Sequence, residues 1–234
     1  MIDQPPNIPN PLTPLGYTEA ELFSPGFFGA VCARAGVGKT AFLVQVALWA
    51  ISKGKRALHI SLSDPIKKVD LWYKDVFINL ANQAKIKDPS SIWELLLPKR
   101  FIMTFKVEGF SVPKLEERMM DLIHQGIFTP DFVLIDGLSF EESLRNPLTD
   151  LKTLARKHQL EVWFSARTHH FSPPPDGAII PQPIHDVADL FESIVHLEGS
   201  ADKIKVKNLK GGSGTQFQPA MRIDPSTWLL TTDE

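Results

Sequence analysis

Only one cysteine, Cys32, occurs in 234 residues, so no intrachain disulfide forms and the chain fits a reducing compartment. A basic excess is missing too: 25 Lys and Arg stand against 27 Asp and Glu, a formal charge of −2. A protein whose main work is gripping a nucleic-acid backbone ordinarily carries a cationic surplus. No apolar run approaches the ~18–20 residues a membrane span needs. The N-terminus is acidic and proline-rich, unlike a secretory leader. No internal repeat or linker divides the chain. What is present is an ordinary balance, 43% hydrophobic and 22% charged, expected of a cytoplasmic globular protein with one large domain.

Prolines 5, 6, 9, 11 and 14 forbid a regular helix or central strand, so residues 1–15 read as an arm and 16–234 as one domain. Residues 26–33 are apolar on both faces, as a buried parallel strand must be. A helix follows to about Ser52, stopped by Lys53-Gly54-Lys55. Residues 56–63 form the next strand candidate. Val69, Trp72, Tyr73, Val76 and Leu80 then recur at helical spacing between Ile66 and Ala84. A short helix near 91–97, a strand over 101–105 and an amphipathic helix carrying Leu115, Met119, Leu122 and Ile123 come next. The strand 131–136 ends on a carboxylate, and a helix over 148–158 leads to the strand 161–165. Such alternation means crossover units and a parallel sheet flanked by helices, an α/β fold. After the proline-rich loop 171–184, short strand signals at 193–197, 203–207, 221–223 and 228–230 suggest antiparallel strands added to the C-terminal sheet edge.

Ala33-Arg34-Ala35-Gly36-Val37-Gly38-Lys39-Thr40, between a strand and a helix, has the ingredients of a phosphate site. Gly36 and Gly38 permit turn conformations that a Cβ would obstruct. The helix that follows supplies free amides and the positive end of its dipole. Lys39 is placed to reach β- and γ-phosphate oxygens, and the Thr40 hydroxyl to ligate Mg²⁺. Ala35, Gly36, Val37, Gly38, Lys39, Thr40 and Ala41 are therefore the nucleotide-binding candidates. Asp136, at the end of an apolar strand, is the matched acid that holds the Mg²⁺ shell through water.

Residues 33–42 resemble the phosphate loop of the DnaB-like replicative helicases, in the RecA-like ATPase class that also holds KaiC. Weaker matches follow in order through 61–63, 132–136, 164–165, 188–189 and 207–214, spanning about residues 20–224. The resemblance implies a RecA-like sheet, ATP with Mg²⁺ at subunit borders, and often a ring or filament of identical subunits.

Three positions depart from the family's catalytic set. Its glutamate base aligns with Ser63, whose hydroxyl is a poor base. Asp64 is the candidate base if the chain shifts by one residue, and otherwise a turn or helix-capping residue before Pro65. The polar sensor falls at Ala166, leaving Ser165 or Arg167 as substitutes. Lys207 and Lys210 are the candidate fingers offered to a neighbouring subunit, or else a solvated hairpin edge; lysine lacks the bidentate fork of arginine. Intact binding elements beside a substituted base and sensor imply an ATP-binding protein with weak or partner-dependent ATPase activity, a nucleotide-dependent switch or assembly factor. The competing readings are a DNA-dependent helicase-like or recombination accessory protein and a structural subunit that binds no nucleotide.

Other features read as packing. His59 on a strand is a core histidine, Trp72-Tyr73 are in helical phase with the core, and Cys32 is a small hydrophobe. His169-His170 lack further ligands at metal-binding spacing. Loop 171–184 contains no Lys or Arg, which suits a protein partner better than nucleic acid.

Overall fold

In the computed structural model, which describes residues 8–106, 109–140, 144–168, 179–200, 203–212 and 220–232, nine strands share one sheet. They are β1 (Phe28–Ala33), β2 (Ala57–Ser61), β3 (Arg100–Thr104), β4 (Phe132–Leu138), β5 (Glu161–Arg167), β6 (Ser193–Gly199), β7 (Ile204–Lys210), β8 (Met221–Ile223) and β9 (Leu230–Thr232). Their order is β3-β2-β4-β5-β1-β6-β7-β8-β9. Pairings from β3 across to β6 are parallel, and those from β6 to β9 are antiparallel. The first tail strand, β6, therefore joins the parallel sheet beside β1, and the antiparallel additions begin only with β7.

Six helices cover the faces: α1 (Glu19–Leu22), α2 (Lys39–Ser52), α3 (Ile66–Gln83), α4 (Pro89–Leu96), α5 (Val112–His124) and α6 (Arg145–Lys157). Local chemistry sets several starts. Thr18 and Glu21 form a capping box on α1, Asp88 caps α4 and Ser111 caps α5, the latter two followed by proline in the first turn. Helix α2 is buried continuously from Ala41 to Ser52, because it lies between the sheet and a second helical layer. That layer includes α3, α4 and the N-terminal segment, while α5 and α6 cover the opposite face.

The described part of the proline-rich arm packs on the body. Ile8, Leu12 and Leu15 are buried in the α2-side core, and residues 13–15 make a single 3-10 turn closed by Gly16. The Tyr17 hydroxyl donates to the Lys210 carbonyl at 2.6 Å and ties this segment to β7.

Two boundaries differ from expectation. β2 stops at Ser61, because the Ser61 hydroxyl donates to the Asp64 carbonyl and accepts from its N–H, turning the chain toward α3. The last strand begins at Leu230 rather than Trp228, which has φ +61° in a turn.

Glu161, at the start of β5, is wholly buried: one carboxylate oxygen accepts from the Trp163 indole at 3.0 Å and the other has no partner among the described residues. Burial raises its carboxyl well above 4.5. A raised folded-state pKa gives stability that is complete below the unfolded value and lost as pH rises through the folded one. Glu161→Gln is therefore expected to gain more melting temperature over the wild type at pH 8 than at pH 5. Equal offsets at both pH values would rule out an ionisation penalty.

Candidate functional site

At the carboxyl end of β1 the chain turns through Arg34–Gly38 into α2. Gly36 and Gly38 have φ of +77° and +89°, the left-handed region glycine adopts without strain. Space around Gly36 is open, whereas a methyl group on Gly38 would meet the Trp228 ring at 3.1 Å. Gly38 is the N-cap of α2 and offers no side chain to its first turn, which also carries no acidic residue. The helix end is thus shaped for an external anion. The Lys39 ammonium donates to the carbonyls of Ala33 at 3.1 Å and Arg34 at 2.8 Å, at the mouth of the loop. Burial lowers its pKa, with the Asp136 charge opposing and Arg167 assisting. Arg167 ends β5 opposite Ala33, so a second cation faces the loop.

Asp136 reaches this loop across an intervening strand, since β5 lies between β1 and β4. The Thr40 hydroxyl donates to Asp136 Oδ2 at 2.8 Å. Ser165, on that intervening β5, donates to Asp136 Oδ1 and accepts from the Gly137 N–H at 2.8 Å. A carboxylate, two hydroxyls and a backbone amide make one buried hydrogen-bond chain. β4 does not end at the carboxylate but runs to Leu138, with its pairing to β5 shifting register after Ile135. Gly137 takes φ +92° there, and a methyl group on it would lie 2.9 Å from Ser63 Oγ.

The other candidates are placed less closely. Ser63 is exposed just beyond Leu62, whose N–H donates to the Asp136 carbonyl at 2.9 Å. The Asp64 carboxylate pairs with Lys68 one helical turn on, at 2.9 Å. Ala166 is buried. Lys207 pairs with Glu198 at 2.8 Å on the exposed β6–β7 ladder, and the Lys210 ammonium donates to the Ala188 carbonyl at 2.7 Å. Neither lysine meets the phosphate loop of its own chain in any described contact. Cys32 is buried, with its thiol pushed up to about 12 by desolvation. Most of loop 171–184, and His169-His170, lie outside the described residues.

Two groups of residues at the site carried almost no signal in sequence. Gln45, a lone amide in an apolar helix, accepts from Leu230 N–H at 2.9 Å and donates to the Trp228 carbonyl at 2.8 Å. It holds the Trp228 turn under Gly38. His59, Tyr73 and Arg100 lie behind Asp136 on the α2 side of the sheet. The Arg100 guanidinium stacks 4.5 Å over the Tyr73 ring and pairs with Asp70 at 2.6 Å. Burial depresses the His59 imidazole, so it stays neutral near pH 7 despite the Asp136 charge.

Among the described residues no cluster of three or more His, Cys, Asp or Glu side chains is disposed to hold a metal, and no helix is long and apolar enough to cross a membrane. No protein-family model matches the chain, and no curated protein matches it. Among solved structures it is similar to the ATPase domain of a DnaB-like helicase, with a TM-score of 0.64 and 17% identity over 100% of this chain and 93% of that one. The expectation raised by residues 33–42 holds at the level of architecture: the chain carries the RecA-like P-loop fold of a DnaB-like ATPase domain.

Proposed function

We propose that this protein binds ATP with Mg²⁺ at the loop Ala33–Thr40 and acts as a nucleotide-dependent switch or assembly factor, with weak or partner-dependent hydrolysis. The observation that carries the reading is the 2.8 Å contact between Thr40 and Asp136, which lie 96 positions apart in sequence. It joins a phosphate loop to a carboxylate through a metal-ligating hydroxyl. The donor set fits a hard cation: a hydroxyl and a carboxylate oxygen, completed by water and phosphate oxygens. The open space at Gly36 and the uncapped start of α2 fit the phosphates.

When bound, Mg²⁺ bridges phosphate oxygens and neutralises their charge. The chain's own residues do the rest. Lys39 exchanges two backbone carbonyls for phosphate oxygens, and the first-turn amides of α2 face the anion. Thr40 and Asp136 hold the cation shell, and Ser165 orients Asp136 from the far oxygen. Hydrolysis is the weaker half. The position aligned with the family's base carries the Ser63 hydroxyl, and the Asp64 carboxylate is engaged by Lys68. Lys207 or Lys210 would complete a neighbouring subunit's site in a homo-oligomer, and loop 171–184 would meet a protein partner.

The test is a melting curve, a size-exclusion profile and phosphate release measured on the same samples with and without Mg·ATP. At ligand near 100 times Kd the folded state should gain about 2.7 kcal/mol. Turnover by the chain alone should stay below about 1 s⁻¹. An unmoved melting temperature contradicts binding, and faster unaided turnover contradicts slow hydrolysis.

A further inference from the structure

His59 is fully buried in the middle of β2, on the same face of the sheet as Asp136. Its Nδ1 lies 3.1 Å from the Tyr73 hydroxyl, while its Nε2 has no hydrogen-bond partner among the described residues and points toward Asp136 Oδ2 at 3.9 Å. An unpartnered imidazole nitrogen in a dry core is costly unless the position serves a purpose. The two ring nitrogens are distinct, and one hydrogen bond decides the other's state. If Nδ1 carried the proton, the bare Nε2 lone pair would face a carboxylate oxygen, and the two would repel. With Tyr73 donating to Nδ1, the proton sits on Nε2 and its positive end faces Oδ2. Tyr73 is itself held by the stacked Arg100 guanidinium, which Asp70 anchors. The carboxylate is thus approached from three sides: Ser165 on Oδ1, Thr40 on the loop side of Oδ2, and His59 from within the core.

We propose that His59 is a positioning residue of the metal site, its Nε2–H, set by Tyr73, steadying the Asp136 carboxylate that faces Thr40. This rests on the reading of Thr40 and Asp136 as the Mg²⁺ site. At 3.9 Å the contact is a charge–dipole interaction rather than a hydrogen bond. Its effect should therefore fall on metal affinity and leave the phosphate grip of Lys39 and the α2 amides alone. Groups behind the direct ligands commonly change metal affinity by about 10–100-fold.

The experiment titrates Mg²⁺ into the full chain with a fluorescent ATP analogue and reads the Mg²⁺ midpoint of binding. His59→Phe, which keeps a ring but no donor, should raise that midpoint about tenfold. Its analogue affinity in EDTA should match the wild type. His59→Gln, whose amide nitrogen falls near the Nε2 position, should recover most of the loss. A purely structural role would instead weaken both affinities together, lower the unliganded melting temperature and show no rescue by Gln. An unchanged midpoint in His59→Phe, or no rescue by Gln, overturns the proposal. Should His59→Phe not fold, Tyr73→Phe decides: it frees Nδ1, and the midpoint must rise in the same direction. A wild type whose binding ignores Mg²⁺ overturns the reading of the Thr40–Asp136 site along with this one. Wild-type Mg²⁺ dependence that His59→Phe shares overturns this inference alone.

Discussion

Ser63→Glu is expected to turn a slow ATPase into a measurably faster one. Ser63 is exposed immediately past β2, in the segment whose Leu62 amide is hydrogen-bonded to the Asp136 carbonyl. A glutamate there has room and places its carboxylate beside the proposed cation site, where an attacking water would be polarised. General-base assistance contributes roughly 10²–10⁴-fold when well placed, and about 1 Å of misplacement forfeits about a hundredfold. A gain of about 10–100-fold in phosphate release under saturating Mg·ATP is the expected outcome. Analogue affinity should stay near that of the wild type. Ser63→Gln, of the same size and without the carboxylate, should show no gain. If Ser63→Glu and Ser63→Gln turn over alike, the missing base is not what limits hydrolysis.

Lys39→Ala should remove nucleotide binding while leaving the fold intact. In the present structure the ammonium is satisfied only by the carbonyls of Ala33 and Arg34, and burial works against its charge. Its loss therefore costs the unliganded chain little. With nucleotide it is the cation closest to the phosphates, and hydrogen bonds to charged groups are worth about 1.5–3 kcal/mol each. Affinity for the fluorescent analogue should fall about a hundredfold, the equivalent of about 2.7 kcal/mol. The Mg·ATP-induced rise in melting temperature should vanish. Lys53→Ala, at the other end of α2, is the control and should bind as the wild type does. Retention of near wild-type affinity in Lys39→Ala would mean the loop is not the phosphate site.

Much of the architecture was legible because it depends on local rules. Double-sided apolar runs gave β1, β4 and β5, helical spacing gave α3 to within a residue of its end, and two glycines before Lys39 gave the loop. Boundaries slipped where a side chain intervened. Ser61 closes β2 early through its own hydroxyl, and the Gln45 amide draws Trp228 into a turn rather than a strand. β6 resembled the other tail strands because burial and length do not encode direction. It is parallel because it packs beside β1 after the chain has crossed the sheet once more.

The phosphate loop, the class of sheet and the identity of the distant carboxylate could all be read along the chain without coordinates. Each is written in nearest-neighbour chemistry: glycine conformation, a helix start, an apolar strand carrying one acid. That β5 stands between β1 and β4 was settled by the packed fold alone. That order puts Ser165 on Asp136 and brings Thr40 within 2.8 Å of it from another strand–helix unit. Likewise the fold, and nothing in the local sequence, aimed the unpartnered nitrogen of His59 at the same carboxylate. Strand order and side-chain convergence arise from how crossover units pack. No residue's own neighbours in the chain carry that information.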